Sequence, residues 1–304
     1  MKLVKAAHLG MCFGVRDAIE LALKQTEPVT ILGELVHNQT VLNQLRSRGV
    51  RMEQDLAAVQ TDQVMITAHG TSQRVVAEIG RRGLKFIEAT CPLVHFAHHA
   101  VARLVSDGFH PIIIGQRDHA EVRGLTGDLK EFDVVNAEED ILQLTEHARL
   151  GIAAQTTQPI EKVRCWVALI ENRFPSATVQ FIDTVCQPTK QRQSAALDLA
   201  KISDVVIVIG GANSNNTREL AATCRRHCAR VHQVQDATGL RSIWFTDADT
   251  IGLTAGTSTP DAIVQQVEDW LNDLADFQAK LSRHVSTPPV EETQGRANLG
   301  QPRG

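Results

Sequence analysis

The chain has 304 residues, 43% of them hydrophobic, and a formal net charge of −4. That apolar share supports one large domain or two to three small ones, while the slight acidity argues against a nucleic-acid or anionic-membrane surface. No apolar run approaches the roughly 20 residues of a membrane span, and the basic start Met1-Lys2-Leu3-Val4-Lys5 lacks the long apolar stretch of a signal peptide, so the expected compartment is cytoplasmic.

Aromatic residues make up 4% of the chain and tyrosine is absent. A Leu/Ile/Val/Ala core of this kind suits parallel strands buried on both faces. A strand within residues 1–12 leads to Cys12, which heads a helix with Val15, Ala18, Ile19 and Ala22 at helical spacing. A strand at 29–32 reaches Gly33 and the polar pair His37-Asn38. The next helix carries Val41, Leu42 and Leu45 and stops at Gly49, and a strand at 64–67 ends in Ala68-His69-Gly70. The pattern then restarts. Cys91-Pro92 heads a helix bearing Val94, Ala97, Val101 and Leu104, with proline in the first turn where it is tolerated. A strand at 111–114 precedes His119, and one at 151–154 runs into Gln155-Thr156-Thr157. A third round opens at Cys186 with a helix ending near Lys201, followed by a strand at 205–209. The loop Asn213-Ser214-Asn215-Asn216-Thr217 opens a helix over 218–228. A strand at 250–254 precedes Gly256-Thr257-Ser258-Thr259, and a last helix runs from 261 to about 281.

A repeat of roughly 80 to 95 residues is too long for a solenoid unit. It predicts an α/β protein of three quasi-equivalent lobes in a pseudo-threefold, trefoil-like arrangement. The lobes cover residues 13–90, 91–183 and 184–282, with the N-terminal strand of 1–12 contributing to the third. The segment 283–304, rich in Pro, Gly, Thr and charge, is expected to be a disordered tail.

The chain has six cysteines, which in a reducing compartment point to metal binding or catalysis rather than disulfides. Cys12, Cys91 and Cys186 sit at the same place in each repeat, at helix N-termini, where backbone N–H groups favour a thiolate. None belongs to a C-x-x-C pair, so a four-ligand structural zinc site is a poor fit. Three sulfurs suit a cubane iron–sulfur cluster with one iron left open to a substrate oxygen. Cys165 lies on an amphipathic helix, and Cys224 and Cys228 read as packing beside a solvated basic face. His95, His98 and His99 read as flank and surface.

The strand-end loops are where an α/β sheet places its ligand. They carry His37, Asn38, His69, His119, Thr156, Thr157, Ser214, Asn215, Asn216, Ser258 and Thr259, donors suited to an anion at helix N-termini. Glu121, two residues beyond His119, supplies a carboxyl whose pKa a dry pocket would raise, and Thr156 could relay its proton. The same residues also admit a three-cysteine dehydratase or condensing enzyme of quinolinate-synthase type, which needs no diphosphate loops. They admit as well a non-catalytic iron–sulfur redox sensor, which needs no Glu121.

Taken in order, Cys12-Phe13-Gly14-Val15, Val36-His37-Asn38, Ala68-His69-Gly70, Ala89-Thr90-Cys91-Pro92-Leu93-Val94, His119-Ala120-Glu121-Val122, Gln155-Thr156-Thr157, Asp183-Thr184-Val185-Cys186, the 213–216 loop and Ala255-Gly256-Thr257-Ser258 resemble the LytB/IspH family of 4-hydroxy-3-methylbut-2-enyl diphosphate reductases. The resemblance covers roughly residues 1 to 275. It implies a [4Fe-4S] cluster on Cys12, Cys91 and Cys186 and diphosphate contacts from His37, His69, His119, Thr156, Ser214, Asn215, Asn216 and Ser258. It further implies Glu121 as the proton source with Thr156 assisting, ferredoxin or flavodoxin as electron donor, and a monomer or homodimer. The reaction implied is reductive dehydroxylation to isopentenyl and dimethylallyl diphosphates, the last step of the non-mevalonate isoprenoid route. Three positions depart from the family pattern. Gly10-Met11 stands where Gly-aromatic is usual, Asn215 where a second Ser is common, and Gln191-Arg192-Gln193 where Asn-Arg-Gln is commoner; none removes a ligand or the acid.

Overall fold

The structure, a computed structural model, describes residues 1–36 and 38–285. His37 and nearly all of the expected tail lie outside the described residues; positions 283–285 continue the last helix.

In chain order the first stretch contains β1 (Lys2–Lys5), α1 (Phe13–Leu23), β2 (Val29–Leu32), α2 (Gln39–Ser47), β3 (Arg51–Glu53), β4 (Gln63–Ile66), α3 (Gln73–Arg81) and β5 (Lys85–Glu88). Next come α4 (Pro92–Ser106), β6 (His110–Ile114), α5 (Ala120–Thr126), β7 (Asp133–Val135), α6 (Glu138–Ile141), β8 (Arg149–Ala154), α7 (Ile160–Arg173) and β9 (Thr178–Phe181). The last stretch contains α8 (Gln187–Lys201), β10 (Val205–Ile209), α9 (Asn215–Arg225), β11 (Val231–Val234), β12 (Thr250–Ala255) and α10 (Asp261–Val285).

The strands form three four-stranded parallel sheets with one spatial plan. Two run β3-β2-β4-β5 and β7-β6-β8-β9. The third runs β11-β10-β12-β1, so the N-terminal strand fills the place that β5 and β9 fill elsewhere. The molecule is therefore three-lobed α/β, and its last lobe is closed by the first strand of the chain.

Each sheet is apolar on both faces because its inner strands are runs of aliphatic residues whose side chains alternate in direction. In β10, Val205, Ile207 and Ile209 join the layer under α10, while Val206 and Val208 join Leu199 of α8 and Leu220 of α9. The middle sheet repeats this, with Ile112, Ile114, Leu150 and Ile152 on one side and Ile113 and Ala153 on the other. All eleven of those residues of β10 and the middle sheet are 0% exposed, and burying a Val, Leu or Ile side chain in this way stabilises by about 1.5–3 kcal/mol.

Three expectations are corrected. The sheets are four strands wide, because β3, β5, β7, β9 and β11 were not anticipated. Helix α9 begins at Asn215 rather than 218, since the Ser214 side chain accepts from the Thr217 N–H and starts the helix there; it ends at Arg225. Helix α10 continues past 281 to Val285.

Candidate active site at the junction of the lobes

Each of Cys12, Cys91 and Cys186 follows the edge strand of one sheet (β1, β5, β9) and forms the N-cap of the first helix of the next lobe (α1, α4, α8). The three are held alike. The Cys12 N–H donates to Thr257 O (3.1 Å), that of Cys91 to Ala68 O (3.1 Å) and that of Cys186 to Thr156 O (3.0 Å). Each acceptor belongs to the loop after the third strand of a sheet, so strand-end loops from all three lobes fix the three cysteines. The partly exposed thiols line one cavity of about 70 Å³, together with His69, Glu121, Thr156, Thr157 and Thr257.

Packing around these sulfurs is close. A Cβ on Gly14, in the first turn of α1, would stand 2.6 Å from Cys91 Sγ. Only glycine leaves that thiol its place. Gly14→Ala is expected to leave the chain folded and to cost about 1–3 kcal/mol in iron affinity, the usual penalty for overpacking; iron content after anaerobic reconstitution measures this, and wild-type loading would contradict it.

The helix N-termini were expected to favour thiolates. Burial outweighs them: it raises the Cys91 thiol above its ordinary value and pushes Cys186 up to about 11, although the Thr189 hydroxyl, 3.0 Å from Sγ, can donate to the thiolate and opposes the rise. The metal-free thiols of Cys91 and Cys186 are thus protonated, and a bound metal would have to displace their protons. Among the described residues no three His, Cys, Asp or Glu side chains are placed to hold a single metal ion. Three soft sulfur donors around one cavity fit a larger sulfur-ligated group instead.

Glu121 lies in the first turn of α5, 1% exposed. Its Oε1 accepts from the Thr156 N–H (2.6 Å), and its Oε2 from Thr156 Oγ1 (3.0 Å). Desolvation exceeds the effect of these bonds and raises the carboxyl to about 7. His119 caps the same helix. Its Nδ1 accepts from the Glu121 N–H (3.2 Å), which leaves the ring proton on Nε2. The His69 ring meets His119 edge-on, with centroids 5.2 Å apart. Both imidazoles line a cleft of about 450 Å³ beside the thiol cavity, and His69 borders the two.

The first turn of α9 and the loop after β12 hold buried polar atoms with no partner: both amide atoms of Asn215, Nδ2 of Asn216, Oγ1 of Thr217 and Oγ of Ser258. Buried groups of this kind are normally satisfied. The Asn216 amide is oriented, because its Oδ1 accepts from the Thr257 N–H (3.0 Å), and so Nδ2 is the unmatched donor. Thr257 lines the thiol cavity. A Cβ on Gly256 would lie inside Thr217 Oγ1, so glycine there lets α9 press against the end of β12. Unmatched donors at a helix N-terminus fit an anion.

The structure thus brings Cys12, Cys91, Cys186, His69, Glu121 and Thr156 to one cavity. It sets His119 beside them and joins Asn216 to the cavity through Thr257, with Ser258 next along the chain. Ser214 and Asn215 flank Asn216 in the first turn of α9. The helix caps after the first inner strands are Asn38, His119 and Ser214. Asn213, spaced like His119 in the sequence, stands one residue earlier and is exposed in the cleft. The loop motifs gave no hint of the arginines of that cleft, Arg117, Arg123 and Arg218; Arg117 lies in the loop before α5, and Arg123 and Arg218 are the fourth residues of α5 and α9. His98, expected at the surface, is turned against Gly70 and Gly124, and its buried Nε2 has no partner. Cys224 and Cys228 are buried and donate to backbone carbonyls, and Cys165 is exposed.

Comparison with known proteins adds relationship to this geometry. The LytB protein family matches residues 3–272. A 4-hydroxy-3-methylbut-2-enyl diphosphate reductase of Aquifex aeolicus is 35% identical over 291 residues, covering 91% of this chain and 98% of its own. One from Haemophilus influenzae is 36% identical, covering 97% and 94%. Among solved structures, (E)-4-hydroxy-3-methyl-but-2-enyl diphosphate reductase, the terminal enzyme of the non-mevalonate pathway, is 35% identical with a TM-score of 0.66, over 90% of this chain and 100% of that one. The E-1-hydroxy-2-methyl-but-2-enyl-4-diphosphate reductase of Plasmodium falciparum is 25% identical with a TM-score of 0.82, over 99% and 95%.

Proposed function

The chain belongs to the LytB family, and from that premise we propose how its site performs the reductive dehydroxylation of 4-hydroxy-3-methylbut-2-enyl diphosphate. The chain is an oxidoreductase of isoprenoid biosynthesis with an iron–sulfur cofactor. Two electrons and two protons enter, the allylic C–O bond breaks, and water leaves with isopentenyl or dimethylallyl diphosphate. A [4Fe-4S] cluster on Cys12, Cys91 and Cys186 would supply the electrons and an open Lewis-acidic position.

The protein's own residues bind, orient and protonate. The diphosphate takes the unmatched donors of Asn215, Asn216 and Ser258, with His69, His119, Ser214 and His37 completing its shell. Burial raises Glu121 to about 7, so a large share of the carboxyl keeps its proton at neutral pH. In that state the carboxyl can donate to Thr156 Oγ1, which frees the threonine's own proton for the cavity. Ferredoxin or flavodoxin is the electron donor in this reading, and the cytoplasm its compartment. Among the described residues no helix is long and apolar enough to cross a membrane.

The observation that carries the proposal is the sharing of one cavity by three thiols and a buried carboxyl whose pKa burial raises to about 7. The direct assay is anaerobic reconstitution followed by turnover with a one-electron donor. Water-releasing reduction of the allylic diphosphate is expected, and a fully loaded protein that leaves this substrate intact would refute it. Ser258 gives a second check. Its Oγ is buried and unpaired, so Ser258→Ala should stabilise the ligand-free chain by about 1 kcal/mol. The same change should weaken binding of inorganic diphosphate by about 10- to 150-fold, the worth of a hydrogen bond to a charged group. Calorimetry reads both, and unchanged diphosphate affinity would remove Ser258 from the site.

A further inference from the structure

We infer that Arg192 is a positioning residue for the iron–sulfur site: its buried guanidinium ties the loop before Cys12 to the first turn of the helix that Cys186 caps and offsets negative charge gathered at the two sulfurs. The inference rests on the three-thiol cluster proposed above.

The repeat itself raises the question. The residue six positions beyond each cysteine faces inward from the first helix of its lobe. In the first two lobes it is Ala18 and Ala97, 1% and 0% exposed; in the third it is Arg192, 8% exposed. The fold accepts alanine here, so the long charged side chain answers no packing demand common to the lobes. Burying a cation is costly unless it is paired.

Its contacts say what it does. Arg192 Nε donates to Gly10 O (3.0 Å), two residues before Cys12, and Nη1 donates to Pro188 O (3.0 Å), two residues after Cys186. One planar fork thus joins the loop before Cys12, 182 positions from Arg192 itself, to the first turn of α8, the helix that Cys186 caps. The sulfurs of Cys12 and Cys186 are placed so that negative charge on them, when they are thiolates, favours the guanidinium cation. Protonated thiols give the guanidinium no counter-charge. Three thiolates around a [4Fe-4S] core with two positive charges give one net negative charge, and reduction by one electron adds a second. A fixed cation beside two of the sulfurs favours the reduced form, so it raises the reduction potential.

The test compares reconstituted full-length wild-type protein with Arg192→Gln and Arg192→Lys. Iron content, the rate of cluster loss to a chelator and the potential from an electron-paramagnetic-resonance redox titration are measured. Arg192→Gln should shift the potential to more negative values and lose iron about 10- to 100-fold faster. Arg192→Lys should keep the potential near the wild-type value and still lose iron faster, because an ammonium lacks the fork. A wild-type potential and loss rate in Arg192→Gln would overturn the inference. Should that variant load no cluster, hydrogen exchange on the metal-free protein decides. Faster exchange around Gly10 and Cys12 supports the tie, and unchanged exchange there overturns it. Failure of the wild-type chain to take up a cluster would instead refute the proposed function.

Discussion

Glu121→Gln is expected to lose at least about 100-fold in turnover while making the folded chain more stable at neutral and alkaline pH. The kinetic loss is the usual worth of a positioned general acid. Glutamine keeps the geometry: its Oε1 can accept from the Thr156 N–H and its Nε2 can donate to Thr156 Oγ1, matching both bonds of the carboxyl. What is removed is the transferable proton. The stability gain follows from linkage. The carboxyl titrates near 4.5 when exposed and about 7 when folded, so the native state holds its proton more tightly than the unfolded chain. Stability is therefore lost as pH rises from about 4.5 to about 7, a loss of roughly 3 kcal/mol by pH 8. Glutamine carries no such burden, so urea denaturation of the metal-free variant should show the gain at pH 8 and none at pH 4. Wild-type activity should fall as pH rises through about 7, and negative charge bound at the nearby sulfurs would move that limit upward. Full turnover in Glu121→Gln would remove Glu121 as the acid and contradict the role given to it here.

Cys91→Ser is expected to lose the cluster and all measurable turnover, a larger effect than the roughly 10- to 100-fold cost of changes outside the ligand set. Serine is smaller than cysteine and fits beside Gly14, so the metal-free fold should survive with an unchanged melting profile. Its oxygen is a hard donor where a soft one is required. The other cysteines provide controls. Cys165→Ser alters an exposed position of α7, and Cys228→Ser a thiol that donates to Asp204 O and Arg230 O in the third lobe. Both should retain full iron and full activity. Iron analysis and the visible absorbance of the reconstituted proteins read the contrast, and a loaded, active Cys91→Ser protein would exclude this ligand.

The repeat was legible because strong signals recur at its centre. The inner strands β2, β4, β6, β8, β10 and β12 are aliphatic runs, and burial on both faces demands such runs. The missed strands are the edges. Arg51–Glu53 and Lys85–Glu88 put charges on short segments with exposed ends, which is how sheet edges avoid pairing with other chains. The three cysteines stood out by their position in the repeat, and the structure sets all three on one cavity. The expected thiolates at Cys91 and Cys186 are not what the fold favours, since a sequence displays a helix N-terminus but not the desolvation that opposes it. The role of Arg192 was hidden for a related reason: a charged residue on a helix reads as surface until the fold turns it inward. The unmatched state of Asn216 Nδ2 depends on a bond from a residue 41 positions away, and local spacing does not reveal such a bond.

The central claim is that three lobes each deliver one sulfur to a single iron–sulfur cluster. Mössbauer spectroscopy of anaerobically reconstituted protein tests it most directly. The account predicts about four irons per chain, three in closely similar sulfur environments and one distinct, the distinct iron alone responding when the diphosphate substrate is added. A single tetrahedral iron, four equivalent irons, or a chain that takes up no iron would contradict it.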